Sequence, residues 1–278
     1  AESTASTGTA TITVTASATG AESVTATYTL TVTKAYNYTI YSQNFEDGTS
    51  DWTLVNSDYS DYAKVKADDA TSNANTSSYI YALGGRSGDT GTQVAVHSIG
   101  GTSVSFDVKF DGTVAGKSHS IALLGAKNTY NWLQSDSEIL SIACGSSATN
   151  GYVEVFTING TDYLTACAVS SDGSEVTTGN GSTLQRGSTG WLHVKANLDF
   201  DTHTMDLTVT KVATGAVVCS VTDLAFMDGD AASNLEYIYA AGAKTYGGVF
   251  MDNFVVKSDT DPAVITAEDL AVTLGTAV

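Results

Sequence analysis

WLHVKANLDFDTHTMDLTVTKV, from Trp191 to Val212, is the stretch that decides the fold. Leu192, Val194, Ala196 and Leu198 recur with a period of two, and His193 and Lys195 fall on the opposite side. After the polar run Asp199–Thr204, the alternation resumes with Met205, Leu207 and Val209. Two such runs joined by a tight polar turn read as antiparallel strands, each with one buried and one solvated face.

The same pattern spreads outward from this stretch. Ser103–Phe110 (SVSFDVKF) sets Val104, Phe106, Val108 and Phe110 against Ser105, Asp107 and Lys109. Tyr152–Ile158, Val217–Val221 and Val249–Lys257 are further strand candidates, and Thr214-Gly215 marks another turn. No long stretch rich in Ala, Leu, Glu and Lys is present, so helix is expected to be a small minority. The expected fold is all-β: a two-sheet antiparallel β-sandwich with the sheets packed face to face.

Composition narrows the function classes. The 278 residues carry 12 basic and 30 acidic side chains, a formal net charge of −18. Such a surface repels phosphate backbones and anionic lipid, which argues against nucleic-acid partners and polybasic membrane attachment. It is compatible with neutral glycans, with divalent cations, or simply with solubility. No apolar run approaches the ~18 residues of a spanning helix, so membrane insertion is not expected. Cys144, Cys167 and Cys219 make no disulfide framework; one pair is open, and buried free thiols in strands are the simpler reading.

The ends differ from the middle. Gly8–Thr33 holds two alternating runs around a Gly-containing turn, a hairpin with little core of its own. The chain is expected to be cropped at both ends, and Ala1 opens no signal peptide. The expected organisation is 1–34 as a hairpin, 35–258 as the main body and 259–278 as a linker and one strand.

Three segments of the body, Asn44–Trp52 (NFEDGTSDW), Gly190–Val218 and Met251–Val256 (MDNFVV), together carry a resemblance. In this order they resemble concanavalin A-like, laminin-G-like modules of bacterial polysaccharide-degrading or polysaccharide-adhering proteins. The opening and closing segments are also similar to galactose-binding-type jelly rolls. The hairpin resembles the last two strands of a bacterial immunoglobulin-like repeat, and Ala263–Val278 resembles the first strand of another. The resemblance implies a lectin-like jelly roll, an extracellular or bacterial cell-surface location, and other modules of the same chain as neighbours. It also implies a structural calcium ion at Glu46 and Asp252, which Asn44, Asp47 and Asn253 would supplement with oxygens. The bland alternative is that both carboxylates bond neighbouring backbone amides.

Catalytic chemistry is not expected. Glu154 has no second acid two or four positions away, Glu138 has only Asp136 two positions before it, and the E-x-D-x-x-E arrangement of one large family of sandwich hydrolases is absent. Arg86 and Arg186 are isolated, and His97, His119, His193 and His203 lack an H-E-x-x-H spacing. His193 beside Lys195 reads as a solvated strand face. No nucleophile elbow or phosphate loop occurs.

Sugar faces are recognised by aromatic rings and their hydroxyls by amide and charged groups. Trp52 and Trp191 lie in framework-like segments and read as core. Trp132 instead sits in the polar stretch Gly125–Glu138, beside Tyr130, Lys127, Asn128, Asn131 and Gln134, and is the first-choice site; its alternative role is a plug at the end of the sandwich. Tyr246, in AKTYGG, adds a loop aromatic near the last strand. The identical triplets Tyr79-Ile80-Tyr81 and Tyr237-Ile238-Tyr239 are the second choice: on neighbouring strands, their four tyrosines would line one face. Ordinary cross-strand packing is the alternative. Two functions remain open. One is non-catalytic binding of a polysaccharide or oligosaccharide, plant-derived and neutral (starch-like α-glucan or hemicellulose), by a monomer. The other is a structural or adhesive spacer with no glycan site.

Overall fold

Alternation becomes strand throughout, and no helix forms among the described residues. The computed structural model describes residues 8–16, 19, 23–32, 35–55, 63–67, 79–84, 90–111, 118–130, 137–145, 153–158, 161–169, 175–178, 191–227, 232–242 and 248–261. In chain order the strands are β1 Gly8–Ala16, β2 Val24–Val32, β3 Tyr38–Gln43, β4 Thr53–Leu54, β5 Ala63–Ala67, β6 Tyr79–Gly84, β7 Thr90–Ala95, β8 Thr102–Asp111 and β9 Ser118–Leu124. They continue with β10 Glu138–Gly145, β11 Val153–Ile158, β12 Thr161–Val169, β13 Glu175–Thr178, β14 Leu192–Asp199, β15 Thr204–Lys211, β16 Val217–Ala225, β17 Tyr237–Gly242 and β18 Gly248–Ser258.

Sheet I runs β13-β12-β11-β10-β9-β17-β7-β4. Sheet II runs β16-β15-β14-β8-β18-β6-β5, with β3 also paired to β18. The fold is the antiparallel sandwich expected from the alternation, with one parallel pairing, β10 with β11. β1 and β2 form a sheet of their own, in a register that opposes Thr9, Thr11, Thr13 and Thr15 to Thr31, Thr29, Thr27 and Thr25.

The turn between β14 and β15 follows from its residues. Asp199 Oδ1 accepts the amides of Asp201 and Thr202 at 2.9 and 3.2 Å, and His203 takes a positive φ of 54°. The ladder then closes from Asp199↔Thr204 to Leu192↔Lys211, which keeps Leu192, Val194, Ala196 and Leu198 on the face that also buries Met205, Leu207 and Val209. Each leucine, valine or methionine among them contributes about 1.5–3 kcal/mol on leaving water, before chain entropy is counted.

The main core lies between the sheets. Sheet II supplies Val104, Phe106, Val108, Met251, Phe254 and Val256; sheet I supplies Ile121, Leu123, Leu140, Ile142 and Ile238. Phe254 is its aromatic centre: it stacks on Phe106 at 5.3 Å and meets Trp52 at 5.1 Å and Phe45 edge-on at 6.3 Å. Phe45 and Trp52 come from the Asn44–Trp52 segment, whose turn needs positive φ at Phe45 and Gly48. Within that turn, hydrogen bonds from Thr49 hold the Asp47 carboxyl below the usual carboxylate range. Trp52 is therefore core. Trp191 is buried as well, but outside both apolar clusters. The second cluster, Ala122, Leu124, Tyr239 and Ala241, lies on the opposite, outer face of sheet I.

Candidate functional site

The outer face of sheet I is crossed by residues 125–130, which follow β9. The Gly125 amide donates to Ser137 O at 2.8 Å and closes the base of this loop. Gly125 is required there: a Cβ would stand 2.6 Å from Ala232 Cβ and 3.0 Å from Ala232 Cα. From this base, residues 125–130 form a strap over the sheet. Gln93 Nε2, from β7, donates to Asn128 O at 3.0 Å, and the Tyr239 hydroxyl, from β17, donates to Tyr130 O at 3.1 Å. Asn128 folds inward and braces the strap itself, with Nδ2 on Tyr130 O at 3.0 Å and Oδ1 accepting from Tyr130 N at 3.4 Å. Pinned this way, the strap leaves Tyr130 43% exposed and Lys127 exposed beside it.

On this face the registers define one row across four strands, Gln93, Tyr239, Ala122 and Ser141, of which Gln93 and Tyr239 hold the strap. The next row holds the small residues Gly91, Ala241 and Ser120. Gln93 is 3% and Ser141 1% exposed, and neither Gln93 Oε1 nor Ser141 Oγ has a hydrogen-bond partner. At one end of the row system Tyr237 meets the His97 ring edge-on at 5.8 Å, and His97 Nδ1 pairs with Glu236 Oε2. Two unpartnered polar atoms, a tyrosine edge and an exposed tyrosine with a lysine make an arrangement suited to a neutral, hydroxyl-rich ligand.

The sequence-predicted residues divide into three groups. Tyr130 and Lys127 are on the strap and exposed, whereas Asn128 is buried and serves the strap. Trp132, Asn131, Gln134 and Tyr246 lie outside the described residues. The tyrosine-face expectation is corrected by topology: β6 lies in sheet II and β17 in sheet I, so Tyr79 and Tyr81 cannot share a sheet face with Tyr237 and Tyr239. Ile238 does point into the core, with Tyr237 and Tyr239 opposite, but Tyr239 is fully buried under the strap and Tyr237 is half-buried. Gln93, Ser141 and the His97–Glu236 pair were not singled out by sequence. The one local signal was a glutamine in an otherwise small and apolar strand, TGTQVA.

The first and last strands of the body are neighbours, as the calcium expectation required: Gln43 pairs with Phe254. Glu46 is exposed in the turn that follows, and Asp252 is fully buried, with Oδ1 accepting the Asn253 amide at 2.8 Å. Asp252 stands opposite Asp107 across β18 and β8. Asp107 accepts from Asn253 Nδ2 at 3.0 Å and lies 2.7 Å from His193 Nδ1, so His193 is half-exposed but engaged. Among the described residues no group of three or more His, Cys, Asp or Glu converges on one point.

No protein-family model matches the chain, and no curated protein does. Among solved structures, Cellulose induced protein, Cip1, is similar at 17% identity and a TM-score of 0.43, over 79% of this chain and 97% of that one. The carbohydrate recognition domain of Emp47p is similar at 8% identity and 0.44, over 80% and 97%. The CBM22-1 xylan-binding domain from Paenibacillus barcinonensis Xyn10C is similar at 12% identity and 0.34, over 83% and 99%. At these scores the likenesses carry no functional assignment.

Proposed function

We propose that this chain binds a saccharide, without catalysing a reaction, at the strap on the outer face of sheet I. One observation carries the reading: the strap is pinned by Gln93 and Tyr239 so that Tyr130 and Lys127 face solvent, on a sheet face that also holds the unpartnered Gln93 Oε1 and Ser141 Oγ. Tyrosine gives a rigid apolar plane with a polar edge at low entropy cost, and hydroxyl groups satisfy orphaned acceptors and donors. The finer proposal is a neutral plant-derived polysaccharide, α-glucan or hemicellulose, held by stacking that also uses Trp132, Asn131, Gln134 and Tyr246. Its setting would be a module of an extracellular or cell-surface protein.

Affinity electrophoresis through soluble starch, xylan, xyloglucan, glucomannan and mixed-linkage glucan tests this. Retardation in one gel is expected, weakened in Tyr130→Ala and in Trp132→Ala. Tyr130→Ala is informative because an exposed ring costs little stability to remove. No retardation in any gel would shift weight to the spacer reading, which the separate, threonine-faced β1–β2 sheet favours.

Calcium at Glu46 and Asp252 belongs to the same proposal. Two buried carboxylates, Asp252 and Asp107, face one another across the ladder near the turn that carries Glu46, which supports a cation there. Added calcium is expected to raise the Tm of the protein and not that of Asp252→Asn. An unchanged Tm would remove calcium and leave the saccharide reading intact.

A further inference from the structure

The β1–β2 hairpin has two unlike faces. One carries the opposed threonines, of which Thr11, Thr13, Thr15, Thr25 and Thr27 are exposed. The alternate positions set Ala10, Ile12, Val14 and Ala16 opposite Leu30, Tyr28, Ala26 and Val24, so the register makes the other face apolar. Val14, on that face, is 53% exposed. Among the described residues no strand pairs with the outer edge of β1 or of β2. A lone two-stranded sheet is marginal in water, and a third strand is the usual remedy.

The entry and exit of the sandwich show where that strand can come from. β3 and β18 are antiparallel neighbours, and their ladder ends at Tyr38↔Ser258. Beyond this pair, one chain leads back through residues 33–37 into β2. The other leads on through 259–263 to Val264–Val278, which lies outside the described residues. The two segments therefore leave the ladder side by side and already antiparallel. Pro262 has no amide to give, which accounts for a break in the pairing between them. Carrying the Tyr38↔Ser258 register across both connections sets Val264 opposite Val32, Leu270 opposite Ala26 and Val272 opposite Val24. Leu270, Val272 and Leu274 then extend the apolar face, and Ala271 and Thr273 the threonine face. Thr266 and Glu268 also fall on the apolar side, so the apolar contact is concentrated at the Leu270–Val272 end.

Size argues against a second copy as the occupant. The apolar face is about 30 Å long and two strands wide, about 300 Å². A stable pair of separate chains buries about 800 Å² on each partner. A segment tethered beside the same edge needs far less, because its short connection sets a high effective concentration.

We infer that Val264–Leu274 adds antiparallel to the outer edge of β2, making a three-stranded sheet that prolongs the β3–β18 ladder. The hairpin is then a stiff extension of the sandwich and not a loose arm.

Hydrogen-exchange mass spectrometry on the full chain and on Leu270→Asp/Val272→Asp tests this. Amides of β2 should exchange at least about fivefold faster in the variant, with β8 and β14 unchanged as the sign that the sandwich is intact. The difference should be the same over about a hundredfold range of protein concentration. Independently, Ala26→Cys/Leu270→Cys should form a disulfide within one chain on mild oxidation, found by peptide mapping, and Ala26→Cys/Ala263→Cys should not. Equal β2 exchange in variant and parent, or no disulfide between positions 26 and 270, would overturn the inference. Protection of β2 that grows with protein concentration would give the edge to a second copy and overturn it as well.

Discussion

Tyr239→Phe removes one oxygen from the pin of the strap. The ring stays against Ala122, Leu124 and Ala241, so buried apolar area is unchanged. The lost contact is the donation to Tyr130 O at 3.1 Å. That carbonyl keeps Asn128 Nδ2 at 3.0 Å, so no buried acceptor is stranded. The net effect is then that of one ordinary hydrogen bond, about 1 kcal/mol. In a domain of roughly 150–250 residues this lowers Tm by about 2–4 °C. Locally the same energy is a factor of about five in strap opening, read as faster amide exchange over residues 125–130 with exchange in β8 and β14 unchanged. Thermal unfolding and hydrogen-exchange mass spectrometry are the assays. Gln93→Ala acts on the same strap, so the double variant should depart from additivity by about 0.5 kcal/mol or more. Unaltered strap exchange in Tyr239→Phe, or strict additivity with Gln93→Ala, would refute the claim that these two side chains hold one element.

Gly125→Ala should destabilise by about 1–3 kcal/mol, because its methyl meets the backbone and Cβ of Ala232; Ala232→Gly in the same chain should restore part of the loss in thermal unfolding. Phe254→Ala should cost about 3–5 kcal/mol in chemical denaturation, since it empties the point where Phe45, Trp52 and Phe106 meet. Tyr41→Phe removes the acceptor of Trp52 Nε1 at 3.2 Å and the donor to Asp51 at 2.9 Å, an expected loss of about 1–2 kcal/mol near neutral pH. Burial, then the Asp51 charge, raises the Tyr41 pKa above its ordinary value near 10. The stability tied to its proton is therefore complete below pH 10 and declines above it. The variant should lose one proton's worth of that alkaline slope, and an identical slope in both proteins would contradict the shift.

Local pattern determined which segments are strands and which residues they bury. Period-two alternation in Ser103–Phe110 and Trp191–Val212 is a property of the backbone pleat, so β8, β14 and β15 were legible together with their inward faces; Val249–Lys257 was legible as a strand, but a register shift at Asn253 moves the inward side of β18 from Val249 and Met251 to Phe254 and Val256. The turn at Asp199–Thr204 was legible from its polar composition, and Trp52 as core from the framework-like segment that holds it. Strand order was not. Tyr79-Ile80-Tyr81 and Tyr237-Ile238-Tyr239 are identical in sequence and lie in different sheets, because partner choice depends on the whole chain's packing and not on the triplet. The site followed strand order. Tyr130 and Lys127 showed as exposed polar-loop residues, but Gln93 reaches Asn128 across 35 residues and Tyr239 reaches Tyr130 across 109. The row from Gln93 to Ser141 exists only once β7, β17, β9 and β10 are laid side by side. The alternation of single strands thus determined the sandwich, while the strap, its pins and the row of residues on its face of the sheet were decided by the long-range ladder that brings four distant strands together.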